Sequence, residues 1–128
     1  MTYIVYQRTL TSDQVNVVNQ QQQSPLAKAY FGLTFPNDDN AEECVANALD
    51  LGLYKQTMVI NATDGLSLDV DDVFAAGNGH PNDGINVVSL QKHPSMSVGD
   101  IAVDLLENTA TLCMPTGWKE LNLTLQLI

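Results

Sequence analysis

Six short segments of this chain read as β-strands, and none is long enough to be anything larger. Thr2–Arg8 alternates and is rich in β-branched and aromatic residues, and Leu53–Asn61 has the same character. Ile85–Leu90, Asp100–Leu105 and Ala110–Met114 alternate in the same way, and Leu106-Glu107-Asn108-Thr109 fits a hairpin turn between the last two. At the end, Leu121, Leu123, Leu125 and Leu127 alternate with Asn122, Thr124 and Gln126, the period of a half-buried strand.

Helical signals fall between these segments. Thr11 with Gln14 makes a capping box, flanked by Leu10 and Val15 at staple positions, and the helix it opens runs to about Asn19 with Val15 and Val18 inward. The Asn19–Gln23 stretch is polar low complexity and reads as a helix end or loop. Ser24-Pro25 restarts a helix with Ser as N-cap, and Leu26, Ala29, Tyr30 and Leu33 form its apolar stripe. Asp39 and Glu42 suggest another capping box ahead of Ala41, Cys44, Val45, Ala48 and Leu49, with Gly52 as the C-terminal cap. A fourth helix runs from Asp69 to about Ala76, capped by Ser67 or Asp69, with Val70, Val73 and Phe74 inward and Gly77 ending it. These elements predict one α+β domain over residues 1–128, with a largely antiparallel sheet of five or six strands covered on one side by three or four helices.

Composition limits the partners. The chain has 128 residues, 45% of them hydrophobic, enough for a core. Charged residues make up only 16%, below the usual ~25%. Fifteen acidic residues against five basic ones leave a net charge of −10, and eleven asparagines and nine glutamines fill part of the gap. Such a surface repels nucleic acid and anionic membranes, whose binding rests on Lys and Arg. It admits a protein partner with a basic surface, because opposite fields steer association. It also serves solubility alone. No apolar run approaches the roughly 18 residues of a membrane span. The opening Met-Thr-Tyr-Ile-Val-Tyr-Gln-Arg lacks a signal peptide's basic start and long apolar stretch, so the expected location is the cytoplasm.

Residues that carry chemistry elsewhere are poorly arranged for it here. Cys44 and Cys113 sit among apolar neighbours and read as core thiols rather than a disulfide. With His80 and His93 they lack any paired zinc spacing. Asp69, Asp71 and Asp72 form the densest acidic cluster, but an EF-hand counted from Asp69 has Phe74 at its sixth position and His80 at its twelfth, where Gly and Glu belong. Capping a helix N-terminus is the simpler use. Gly77-Asn78-Gly79 and Gly84 follow a helix with no Lys beside them, as a turn does and a phosphate loop does not. His93-Pro94-Ser95-Met96-Ser97 places hydroxyls near an imidazole, without a nucleophile elbow. No cofactor, metal or catalytic residue is expected. Asp69, Asp71, Asp72 and the lone Trp118 are the candidate partner-binding residues, Trp because it is enriched at binding hot spots.

The order Leu68-Asp69-Val70-Asp71-Asp72-Val73-Phe74, then Asn78, then His93-Pro94-Ser95-Met96-Ser97-Val98-Gly99-Asp100-Ile101, and finally Gly117-Trp118 resembles the YodL-like group of small domains carried by bacteriophages, plasmids and conjugative elements. The opening Tyr3–Gln7 strand, Leu10-Thr11 and Asn19 are similar to the start of related phage proteins. Residues 20–65 and the tail after Leu121 lie outside the resemblance. It implies a viral or mobile-element accessory protein, in the host cytoplasm, and no particular activity. The expectation is a non-enzymatic protein-binding factor, in its sharper form an acidic inhibitor of a host nucleic-acid enzyme. The rival is a small assembly protein that forms a homodimer through its C-terminal strand. Physically, Gly99 permits a tight or bulged approach to the strand, and Asp100 or Ser97 can bond local amides.

Overall fold

The computed structural model describes residues 1–21 and 23–122. Among them the order is β1 (Thr2–Arg8), α1 (Ser12–Gln20), α2 (Pro25–Gly32), α3 (Ala41–Asp50), β2 (Tyr54–Ala62), α4 (Val70–Gly77), β3 (Ile85–Ser89), β4 (Ile101–Asp104), β5 (Thr109–Cys113) and β6 (Trp118–Leu121). The strands form one sheet in the order β3-β2-β1-β4-β5-β6, antiparallel at every pairing. This is the expected α+β architecture. Leu121 is buried at the end of β6, whereas Leu123, Leu125 and Leu127 lie outside the described residues.

The helices do not lie on one side. Alternate residues of β1 enter different cores: Tyr6, with Ile4 beside it, packs with Leu33, Val45 and Ala48 of the α2–α3 side, while Tyr3 and Val5 pack with Val73 and Ala76 of α4. All four residues of β4 are buried for the same reason. The unbroken apolar runs Tyr3-Ile4-Val5-Tyr6 and Ile101-Ala102-Val103 are the sequence trace of strands covered on both faces.

Local caps follow their chemistry with one exception. Thr11 and Gln14 close a reciprocal capping box, and Ser24 accepts from the Ala27 N–H at 3.2 Å ahead of Pro25. Val18 is buried, but Val15 stays 40% exposed because α1 packs along α2 rather than on the sheet. Gly52, at φ +70°, donates to the Leu49 carbonyl while the Leu53 N–H reaches Ala48, a full Schellman closure of α3. The Asp39–Glu42 box does not form. Asn40 takes the N-cap position without a side-chain cap, because the Asn37 carboxamide accepts the Asp39 and Asn40 N–H groups, and Glu42 accepts from the Asn122 N–H at 2.6 Å instead. Gly77 ends α4 as expected. It is the helix's last residue, pressed against Met96, and Gly79 carries the positive φ.

Candidate functional site

The acidic cluster is built on the first turn of α4. Asp69 is the N-cap: its carboxylate accepts from the Asp72 N–H at 2.9 Å, and Asp72 returns the bond to the Asp69 N–H at 3.2 Å. The Asn82 amide holds the other Asp72 oxygen at 3.1 Å, pinning the loop after α4 to its start. Both carboxylates sit where the helix's positive end favours them.

Asp71 points elsewhere. Its carboxylate accepts from the Trp118 indole N–H at 3.1 Å, across 47 positions of sequence. Trp118 stands at the start of β6, after Gly117 at φ +80° turns the chain. Phe74, one turn along α4 from Asp71, meets the indole edge to face at 5.9 Å and 82°. Phe74 is therefore not a core residue; it is 36% exposed. β2 and β3 draw Val73 and Ala76 into the core, and Phe74 points to the rim beside the indole. The candidate residues Asp69, Asp71, Asp72 and Trp118 thus share one patch, with Phe74 as the member that sequence patterning misassigned.

Little positive charge opposes that patch. The one ion pair among the described residues is Lys119–Asp38, at 3.9 Å with Asp38 largely exposed. Arg8 is spent internally. Its guanidinium donates to the Tyr30 carbonyl at 2.6 Å and the Val98 carbonyl at 3.2 Å, and it lies 5.0 Å from the Tyr30 ring centre.

The SMSVGD segment is held by the local bond expected of Asp100 and, beyond it, by a buried polar network that the sequence did not reveal. Asp100 accepts from the Ser97 N–H at 2.8 Å and from the Gln7 amide at 3.0 Å, and Thr57 donates to the Gln7 carbonyl oxygen at 2.6 Å. Gln7 also reaches the Pro94 and Ser95 carbonyls, and the Tyr54 hydroxyl donates to Gly99 at 2.6 Å. The β1–β2 register shifts between Val5 and Tyr6, leaving Thr57 as the extra residue of a bulge aimed at Gln7. Burial pushes the Asp100 carboxyl up despite the Gln7 and Ser97 bonds, and raises the Tyr54 hydroxyl strongly. Gln7 follows the apolar run Tyr3-Ile4-Val5-Tyr6 and is followed by Arg8, and no local pattern marks it as buried. Of the segment's polar side chains Asp100 is turned inward, whereas Ser95 and Ser97 are exposed.

His93 pairs with Ser89 rather than with Ser95 or Ser97. Its Nδ1 lies 2.8 Å from the Pro94 carbonyl, an acceptor only, so Nδ1 donates there, and its Nε2 lies 3.0 Å from the Ser89 hydroxyl. The two line a shallow cleft of about 450 Å³ with Gly77, Asn78 and Gly79. The N–H groups of Asn78, Gly79 and His80 already donate to Phe74, Ala75 and Ala76 carbonyls, so that loop offers no oxyanion hole. His80 is exposed on the turn after α4. A second cleft, of about 620 Å³ between α2 and α3, is bordered by Lys28, Glu43, Cys44 and Asp50. Cys44 and Cys113 are both free thiols, raised by burial, Cys113 to about 11. Among the described residues no three His, Cys, Asp or Glu side chains gather as a metal site, and no helix is long and apolar enough to cross a membrane.

No protein-family model matches the chain, and neither the curated proteins nor the solved structures hold a match to it.

Proposed function

We propose that this is a non-enzymatic accessory protein of a bacteriophage or mobile element, acting in the host cytoplasm by binding a protein with a basic surface. The observation that carries the reading is the Trp118–Asp71 bond beside Phe74: two partly exposed aromatic rings in edge-to-face contact within an acidic rim. An ordered indole is a good anchor because little side-chain entropy remains to be lost on binding. The surrounding carboxylates supply long-range attraction for Lys and Arg on a partner. In its sharper form the protein is an inhibitor in host takeover, occupying the basic site of a nucleic-acid enzyme. The resemblance to the YodL-like group supports the setting.

The test is capture of partners from bacterial lysate at low and high salt, with wild-type protein beside Trp118→Ala and Asp71→Asn/Asp72→Asn. The expected result is a basic protein retained at low salt by the wild type and lost in both variants. Retention indifferent to salt and to both variants overturns the reading.

A further inference from the structure

The β3 edge of the sheet is a second, independent surface. Among the described residues β3 pairs only with β2, in the register Met58↔Ser89 through Ala62↔Ile85. Two flanking bonds set which backbone groups face inward. The Leu90 N–H donates to the Thr57 carbonyl, and the Gly84 carbonyl accepts from the Thr63 N–H, both at 2.9 Å. Antiparallel ladders bond at every second residue, so Gly84, Asn86, Val88 and Leu90 face β2. The N–H and C=O groups of Val87 and Ser89, and the Ile85 carbonyl, therefore point outward from the sheet. Among the described residues no backbone group meets them.

Among the described residues nothing guards this edge. Ile85-Asn86-Val87-Val88-Ser89 contains no charge, no Pro and no bulge, the usual devices against edge pairing. Val88 is 50% exposed and Leu90, just beyond, 48%. In a protein of net charge −10 a neutral edge lets two copies approach without repulsion along the strand. The charges that bracket it are opposite: Asp83 before the strand and Lys92 after it, both exposed and neither in an ion pair among the described residues.

We infer that β3 is a homodimerisation edge, pairing antiparallel with β3 of a second copy about a two-fold axis at Val87. A two-fold pairing of this kind sets Val87 opposite the other copy's Val87, and Ile85 opposite its Ser89, so outward-facing groups meet outward-facing groups. Val88 and Asn86 then meet across the join, and Lys92 of each copy comes to the Asp83 end of the other. A parallel pairing would bring like charge to like. The result is one continuous twelve-stranded sheet whose acidic α4 patches remain free.

Sedimentation equilibrium of the full chain is the test, with circular dichroism to confirm folding. Wild-type protein should be a dimer. Val87→Pro removes only an outward N–H, so it should stay folded while its dissociation constant rises about tenfold or more. Lys92→Asp should weaken the dimer, and Asp83→Lys/Lys92→Asp should restore it, which a merely structural role for these residues would not produce. A truncation ending at Asn122 should still dimerise. Wild-type protein that stays monomeric at high concentration overturns the inference. So does a dimer indifferent to both Val87→Pro and Lys92→Asp, or one abolished only by the truncation.

Discussion

Gln7 and Asp100 are 93 positions apart in the chain, yet the Gln7 amide donates to the Asp100 carboxylate at 3.0 Å inside the protein. One side chain of β1 thereby fixes the turn that leads into β4, its neighbour in the sheet. Asp100→Ala strands the Ser97 N–H and removes one partner of the Gln7 amide, so chemical denaturation should show a loss of about 1–3 kcal/mol.

The same carboxyl sets a pH dependence of unusual sign. Burial, its largest influence, raises the Asp100 pKa above the ordinary 3.8. The folded protein therefore holds this proton more tightly than the unfolded chain does. Its contribution to stability increases as pH falls through the folded-state pKa, and levels off below 3.8. Measured by urea melts across the acid range, wild type should gain on Asp100→Asn as the pH drops. A gap that moves the other way would show the carboxylate to be stabilised in its charged form.

Gly99 should tolerate no side chain. It sits at φ +93°, and a Cβ there would lie 2.7 Å from the Leu33 carbonyl oxygen and 2.8 Å from the Arg8 guanidinium. Left-handed strain plus these clashes should make Gly99→Ala cost roughly 3 kcal/mol or more. Gly117, at φ +80° with open space around it, is the control. Gly117→Ala should cost only the strain, about 1–2 kcal/mol. Equal losses at the two sites would contradict the packing around Gly99.

Phe74→Ala should cost about 1–2 kcal/mol, well short of the 3–5 of a fully buried ring, since Phe74 is 36% exposed. Trp118 is the only tryptophan, so its fluorescence reports this patch directly. Asp71→Ala, which removes the indole's acceptor, should shift the emission more than its effect on stability would suggest. Unchanged emission would mean the Asp71 bond does not order the ring in solution.

The cysteines should be slow to react in the folded protein. Burial raises both thiols, Cys113 to about 11, so the thiolate is scarce at neutral pH. A thiol reagent should titrate two groups at once in denaturant and neither promptly without it. Rapid native labelling of Cys113 would sink this.

Short-range physics made much of the fold readable in the sequence. The capping box at Thr11, the Ser24-Pro25 start and the Gly52 closure involve partners within five residues, and the structure has each of them; of the two caps left open for α4, Ser67 and Asp69, it takes Asp69. Where a competing local bond existed, as with Asn37 against Asp39, the pattern misled.

What the sequence alone determined is most of the elements, the caps at Thr11, Ser24 and Gly52, the acidity and the alternation of the inner strands, because these arise from neighbours along the chain; β6 lies at Trp118–Leu121, a span that the alternation from Leu121 onward did not mark. Tertiary structure alone decided that helices cover both faces of the sheet, that Phe74 belongs to Trp118 rather than to the core, and that Gln7, Thr57 and Asp100 share one buried network. Each depends on strand order and register, which bring together residues distant in the chain, up to the 93 positions between Gln7 and Asp100, and no local periodicity encodes which distant segment will be the neighbour.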